Sequence, residues 1–364
     1  MIYLDEAATT KPSLTALTTF REIAERNWMN PSSRLYSSAA ANTLNMARGI
    51  IANRLGCDQK QIVFTSGATE AANWVISQRW DAIISSPTEH PCVFEAVIKQ
   101  PCGVSFVDVD ANGVVDISSL RRLLDVYKYH NRVLVAIMGA NNETGTIQPV
   151  DRIAKAVAEY DNAFYFADNT QLWAHSQPAV DGLDYACASA HKFGGFKGTG
   201  FLYVKDPTTL SPLLYGGHQE FGLRPGTENV GGIYAMAAAF DENCRLGFDW
   251  AQEIREHIES LALDAGMKIN GGTNVLPNIV SVTMPDCDAQ MMIAALTMDE
   301  IYLSAGSACA SGSPEPSRIL IAMGMASDAR RTLRISFGRR IRTEDINILF
   351  EKIRAYREVL RDKD

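Results

Sequence analysis

Apolar residues recur at helical spacing over residues 13–27 and 37–55, and Asn30-Pro31-Ser32-Ser33 separates the two stretches as a loop suited to capping the second helix. Residues 1–12 read as extended and turn-like, with Lys11-Pro12 as a breaker. Residues 61–65 form a short β-rich run ending in Ser66-Gly67-Ala68-Thr69-Glu70, and a helical pattern follows. The same order of strand, small-residue turn and helix recurs around residues 83–91 and 133–142. Alternation of this kind predicts an α/β fold on a mostly parallel sheet. A further apolar run, 163–167, ends in Asp168, and another occupies 200–204. Near residue 250 the pattern changes: a long amphipathic helix over 250–263, a strand over 278–284, and helices over 289–298, 319–325 and 345–360. This predicts a large domain over 13–245 and a smaller one made of 1–12 and 246–364.

At 364 residues the chain exceeds the size at which single cores usually split, which agrees with two domains. A net charge of -8 argues against nucleic acid or an anionic membrane surface as partner. No apolar run approaches the ~20 residues of a membrane span, and the first residues lack a basic and apolar leader pattern. A cytoplasmic location is expected. The seven cysteines include no C-x-x-C pair, so neither a disulfide framework nor a zinc site of familiar spacing is expected. All but Cys309 are expected to behave as small buried hydrophobes.

Candidate chemistry collects at the ends of the apolar runs. About two dozen residues after Asp168 comes Lys192, in Ser189-Ala190-His191-Lys192, followed by a glycine-rich turn. Pyridoxal phosphate needs a lysine amine to bind its aldehyde and a carboxylate to keep its ring nitrogen protonated, and this pair could supply both. In isolation, a salt-bridged aspartate and a surface lysine would read the same. The turn at residues 65–70 suits an anion at a helix N-terminus or a plain N-cap, and without the Walker lysine it does not suit a nucleotide. His90, after the strand at residues 83–86, could stack on a flat ring and move protons, or be a structural histidine. Asn141-Asn142-Glu143-Thr144-Gly145 takes the corresponding place after the next run, as a site or as a polar turn. Cys309, between Gly306 and Gly312, is expected on a flexible loop as a reactive thiol, the alternative being a buried one. Arg334, alone in an apolar strand, needs an anionic partner, either a ligand carboxylate or an internal ion pair.

Taken together, these segments resemble the cysteine desulfurases of the class-V aminotransferase group, in the branch typified by NifS and IscS. The likeness covers the whole chain, from Tyr3-Leu4-Asp5 and Ala8-Thr9-Thr10 through Arg224-Pro225-Gly226-Thr227-Glu228-Asn229 to Leu333-Arg334-Ile335-Ser336-Phe337-Gly338. It implies the fold type I of pyridoxal 5'-phosphate transferases, with a mostly parallel seven-stranded sheet in the large domain and a smaller α+β domain. Lys192 would carry the cofactor and move the substrate's α-proton. Asp168 would pair with the ring nitrogen, Gln171 and Asn142 would bind the ring hydroxyl side, and His90 would stack on the ring. Ala68, Thr69, Ser189 and His191 would hold the phosphate, with Thr227 reaching in from the second subunit of a homodimer. Arg334, with Asn142, would bind the carboxylate of L-cysteine. Cys309 would take the sulfur as a persulfide, release alanine and pass the sulfur to an acceptor protein in iron–sulfur cluster assembly or a thio-modification pathway.

The chain departs from the family pattern at Glu6, where a neutral residue is usual, at Leu35 and Ser38, at Phe196, at His218 and over Leu172-Trp173-Ala174-His175. None removes a catalytic group. Glu6 and Leu35 bear on the substrate entrance and the partner surface. The alternatives are a selenocysteine lyase or another class-V pyridoxal enzyme, in which Cys309 matters less, and a scaffold relative without catalysis.

Overall fold

The computed structural model describes residues 1–33, 38–306 and 316–360. After β1 (Ile2–Tyr3) come helices α1 (Leu14–Arg26) and α2 (Ser38–Leu55). Seven strands follow: β2 (Ile62–Thr65), β3 (Ala82–Ser85), β4 (Gly103–Phe106), β5 (Val133–Ala136), β6 (Ala163–Asp168), β7 (Tyr185–Ser189) and β8 (Gly200–Val204). Between them lie α3 (Ala68–Ile76), α4 (Pro91–Ile98), α5 (Ile117–Tyr127), α6 (Val150–Val157) and α7 (Leu172–His175), and α8 (Val230–Leu246) follows. The C-terminal part carries α9 (Trp250–Asp264), β9 (Lys268–Asn270), β10 (Ile279–Thr283), α10 (Ala289–Met298), β11 (Ile301–Tyr302), α11 (Arg318–Ala322), β12 (Thr332–Ser336) and α12 (Thr343–Leu360).

The seven strands form one sheet in the order β2-β8-β7-β6-β5-β3-β4. Only β8 runs against its neighbours β2 and β7, so the sheet is mostly parallel, as expected. Its inner strands are apolar throughout because helices cover both faces. One face packs Ile62, Val135 and Tyr165 against α2 and α8, and the other packs Val63, Leu134 and Phe166 against α3 and α4. A separate core holds Leu4, Val280, Leu333, Ile346 and Phe350 around the antiparallel sheet β12-β10-β9. Leu4 reaches that core because β1 pairs with β11.

Between the strands read at 163–167 and 200–204 lies β7, which pairs with both, and Lys192 follows it in a single 3-10 turn. Two sequence expectations change. The helix expected over 319–325 is only α11, because Gly324 takes a left-handed φ of 80° that ends it. Of the cysteines expected to be buried, Cys57, Cys92 and Cys102 are half-exposed while Cys187, Cys244 and Cys287 are buried.

Candidate active site

Parallel α/β sheets open a crevice at the C-terminal ends of their strands. Here β2, β3, β5, β6 and β7 deliver their following residues to one cavity of about 390 Å³. Its lining includes Ala68, Thr69, His90, Asn142, Asp168, Gln171, Ser189, His191 and Lys192. Sequence reasoning had scattered these over more than a hundred residues; the strand ends bring them together. Thr227 is elsewhere, in cavities of about 80 and 290 Å³ lined also by Glu228 and Asn229. Arg334 does not line the cavity either. It is buried in β12, where Nη2 donates to Asp5 at 2.7 Å and Nη1 to the Asn142 carbonyl at 2.9 Å. Cys309 and Leu35 lie outside the described residues.

One end of the cavity is a cradle for an anion. Helix α3 starts at Gly67 without a side-chain cap, so its first amides face outward with the positive end of the helix dipole. Gly67 is extended in a region open only to glycine (φ 155°), and a β-carbon there would sit 3.2 Å from Ser189 Oγ, inside the cradle. Gly200 lets β8 pass beneath it, since a β-carbon at 200 would meet Gly67 Cα at 2.6 Å. Glu70 fixes the turn by accepting the Ser66 N–H at 2.8 Å and pairing with Arg224 at 2.9 Å.

The other end is shaped for a flat polar ring. Asp168, the last residue of β6, accepts the Thr170 N–H on Oδ1 at 3.0 Å. His90 caps α4: Nδ1 accepts the Cys92 N–H at 3.2 Å, which leaves the ring proton on Nε2. Burial pushes its pKa down, outweighing the pull of Asp168, so the imidazole is neutral near pH 7. Burial and then Lys192 push His191 down to about 4 and His175 down to about 3. Asn142 Oδ1, Thr170 Oγ1 and Gln171 Oε1 are buried with no hydrogen-bond partner among the described residues, acceptors that await a polar ligand.

Lys192 Nζ donates to the Ala7 and Ala8 carbonyls at 2.6 and 2.9 Å, which seats the amine on the N-terminal arm. Lys192 also walls a second cavity of about 180 Å³ with Glu6, His175, Arg339 and Arg340. Arg318 of α11 reaches the His90 loop by donating to the Pro87 and Glu89 carbonyls over the Phe94 ring. Glu89 is wholly buried, burial drives its carboxyl pKa well up, and its Oε1 accepts the Met138 N–H at 2.7 Å.

Sequence reasoning missed Cys92, Met138 and Lys197 in the lining. Cys92 was legible in principle, because the first turn of a helix that starts at a strand end faces the crevice. His90, Cys92 and Asp168 each bring a donor atom within 4.8 Å of the others. Nδ1 is already committed to the Cys92 N–H, and the cluster reads as one wall of a ring site rather than a metal centre.

A family model described as aminotransferase class-V matches residues 2–349. A cysteine desulfurase IscS of Dictyoglomus turgidum is 32% identical, the match covering 99% of this chain and 95% of that protein. A solved structure named as a NifS-like protein superposes with a TM-score of 0.90 at 31% identity, covering 99% of this chain and 100% of the other. Another, named as SspA in complex with cysteine, has a TM-score of 0.82 at 30% identity over 93% of this chain and 99% of that one.

Proposed function

The chain belongs to the aminotransferase class-V family, and from that premise we propose that it is a cysteine desulfurase, releasing L-alanine from L-cysteine and passing on the sulfur. The observation that carries the reading is convergence: a lysine amine, a carboxylate, a neutral imidazole and an anion cradle share one cavity with unpartnered buried acceptors. That set fits pyridoxal 5'-phosphate. The α3 amides with Thr69, Ser189 and His191 would hold its phosphate, Asp168 its ring nitrogen, Gln171 and Asn142 its hydroxyl side, and His90 its face. When bound, the cofactor supplies an electron sink for the charge left on the substrate's α-carbon.

The chain's own residues do the rest. Lys192 Nζ, drawn from the Ala7 and Ala8 carbonyls, takes the α-proton. Asn142 would supply a hydrogen bond for the substrate carboxylate, and Arg334, behind it on the Asn142 carbonyl, would supply the countercharge once drawn from Asp5. The Cys309 thiolate bonds to the substrate's sulfur while the carbon–sulfur bond breaks, and the electron pair stays with carbon, which is protonated to alanine. The sulfur remains on Cys309 as a persulfide for an acceptor protein, in cluster assembly or thio-modification. The same proposal includes domains over 13–245 and over 1–12 with 246–364, a homodimer completed by Thr227, and a cytoplasmic location. No helix among the described residues is long and apolar enough to cross a membrane.

Cys309→Ser tests the reading. Alanine release from cysteine is expected to fall by on the order of a hundredfold or more, the scale for losing a nucleophile. The variant should keep its cofactor colour. Undiminished turnover would overturn the persulfide route and favour a lyase, and wild-type protein that takes up no pyridoxal phosphate would favour a scaffold.

A further inference from the structure

The Asp168 carboxylate is flanked by two thiols. Its Oδ1, which accepts the Thr170 N–H, faces Cys187 Sγ at 3.7 Å, and its Oδ2 faces Cys92 Sγ at 3.8 Å. The two cysteines come from different elements: Cys187 is fully buried in β7 beside β6, and Cys92 is in the first turn of α4 on the cavity wall. Cys92 Sγ also lies 3.0 Å from His90 Nδ1, so its one proton is shared between the imidazole nitrogen and the carboxylate, whereas the Cys187 contact on Oδ1 has no such rival among these contacts. Burial, reinforced by the charge of Asp168, pushes both thiols well up, so each keeps its proton and can donate it. A thiol is a weak donor with a long reach, which suits contacts near 3.7 Å where a hydroxyl would fall short.

We propose that Cys92 and Cys187 are positioning residues of the cofactor site: their thiols pin the Asp168 carboxylate with weak hydrogen bonds and leave most of its acceptor strength for the cofactor's ring nitrogen. This rests on the pyridoxal phosphate reading above. Strong donors at those places would orient the carboxylate equally well, but would compete with the ring N–H for it. The charged and titratable groups facing the cluster are Glu89 and His90 ahead of α4, Lys192 beyond β7, and Arg318 and Arg334 from the C-terminal part. The Cys187 substitutions leave the contacts named for these groups in place, whereas the Cys92 substitutions also remove the thiol beside His90 Nδ1.

The test uses full-length holoenzyme carrying Cys92→Val, Cys92→Ala, Cys187→Val or Cys187→Ala. Valine keeps the bulk and removes the donor, whereas alanine removes both. The readout is the pH midpoint of the bound cofactor's visible absorption, which follows the proton on the Lys192 nitrogen, with Tm measured alongside. At each position valine and alanine are expected to move the midpoint the same way, downward by about half a pH unit, the scale of one weak hydrogen bond. The downward sign follows because a carboxylate freed of a donor carries more negative charge density and stabilises the protonated ring more strongly, and a ring held protonated lowers the proton affinity of the Lys192 nitrogen. A midpoint unmoved in all four variants while Tm falls would show that the thiols only fill space. A midpoint moved by alanine but not by valine would show that volume is what matters, and either result overturns the proposal. Should buried Cys187→Val fail to fold, Cys187→Ala decides: a midpoint unmoved there overturns the proposal, and Cys92→Val, which also removes the His90 contact, serves only as a comparison. Wild-type protein that binds no cofactor would instead overturn the functional reading.

Discussion

Glu6 shows how much one side chain can shift at this site. Its carboxylate packs against Gly338, where a β-carbon would come within 2.2 Å of Oε2, and it shares a cavity with Lys192 and Arg340. Burial pushes its pKa from 4.5 up to about 7, with Arg340 opposing. A carboxyl raised on folding binds more protons in the native state than in the unfolded one between those values. Stability is therefore lost as pH rises through that window, and the loss is complete above about 7. Glu6→Gln removes the penalty. Thermal unfolding at a pH of about 8.5 should show the variant roughly 2 °C more stable, near 1 kcal/mol for a chain of this size, with the gain gone below about pH 4.5. An equal Tm difference at both pH values would mean that the ionisation of Glu6 is not what costs stability. The residue was legible as a departure from a neutral position, but its burial was not, because that depends on Gly338, far away in the chain. Asp168 was legible for the opposite reason: it ends an apolar run whose pattern names a strand.

At the scale of elements, the turn that makes the anion cradle depends on an ion pair outside it. Arg48 of α2 is buried between the Phe64 and Phe221 rings and pairs with Glu220 in two contacts of 2.6 and 2.9 Å. Glu220 Oε2 also accepts the Phe64 N–H at 2.7 Å, and Arg48 donates to the Ile62 carbonyl, so both charges are anchored to β2 just ahead of Gly67. Glu220 and Phe221 sit at positive φ (50° and 61°), a strain that these contacts hold in place. Arg48→Met leaves Glu220 buried without its partner, and chemical unfolding should report a loss of about 3–5 kcal/mol. A loss under about 1 kcal/mol would mean the pair is solvated like a surface salt bridge. The sequence showed neither partner as special, because a buried pair 172 residues apart leaves no local period. The same reasoning separates the elements that could be read from those that could not. Strands β2, β3, β5, β6 and β8 announce themselves as apolar runs bounded by turns. Strand β4 is a half-exposed edge with little apolar signal, and β7 is masked by the small residues Ala186, Ala188 and Ser189 that the close packing of the site requires.

At the scale of the whole molecule, Thr227 lies outside the cavity of about 390 Å³, in a smaller one of about 80 Å³ that shares Ser66 and Gly198 with it. What surrounds Thr227 is informative. The cavity of about 290 Å³ beside it is lined by Phe20, Trp28 and Met29, and Leu14 and Leu17 of the same helix are exposed as well. Trp28 is 72% exposed, a large apolar side chain left in water just after α1. Exposed apolar side chains on one helix and on the turn after it suit a contact site, and a second copy would cover them by presenting the same surface. Such a dimer would carry each Thr227 toward the neighbouring copy's cradle, as the proposed function requires. Trp28→Glu puts a charge among those side chains without touching the cavity of about 390 Å³ that holds Lys192. Sedimentation should then show the wild type at twice 39.9 kDa and the variant at 39.9 kDa. Cofactor affinity should fall about tenfold in the variant, near 1.4 kcal/mol, because the hydroxyl supplied from across the interface is lost. Thr227→Val should lower affinity by a similar factor while leaving the mass doubled. A monomeric wild type that binds its cofactor tightly would show that each cradle is complete within one chain.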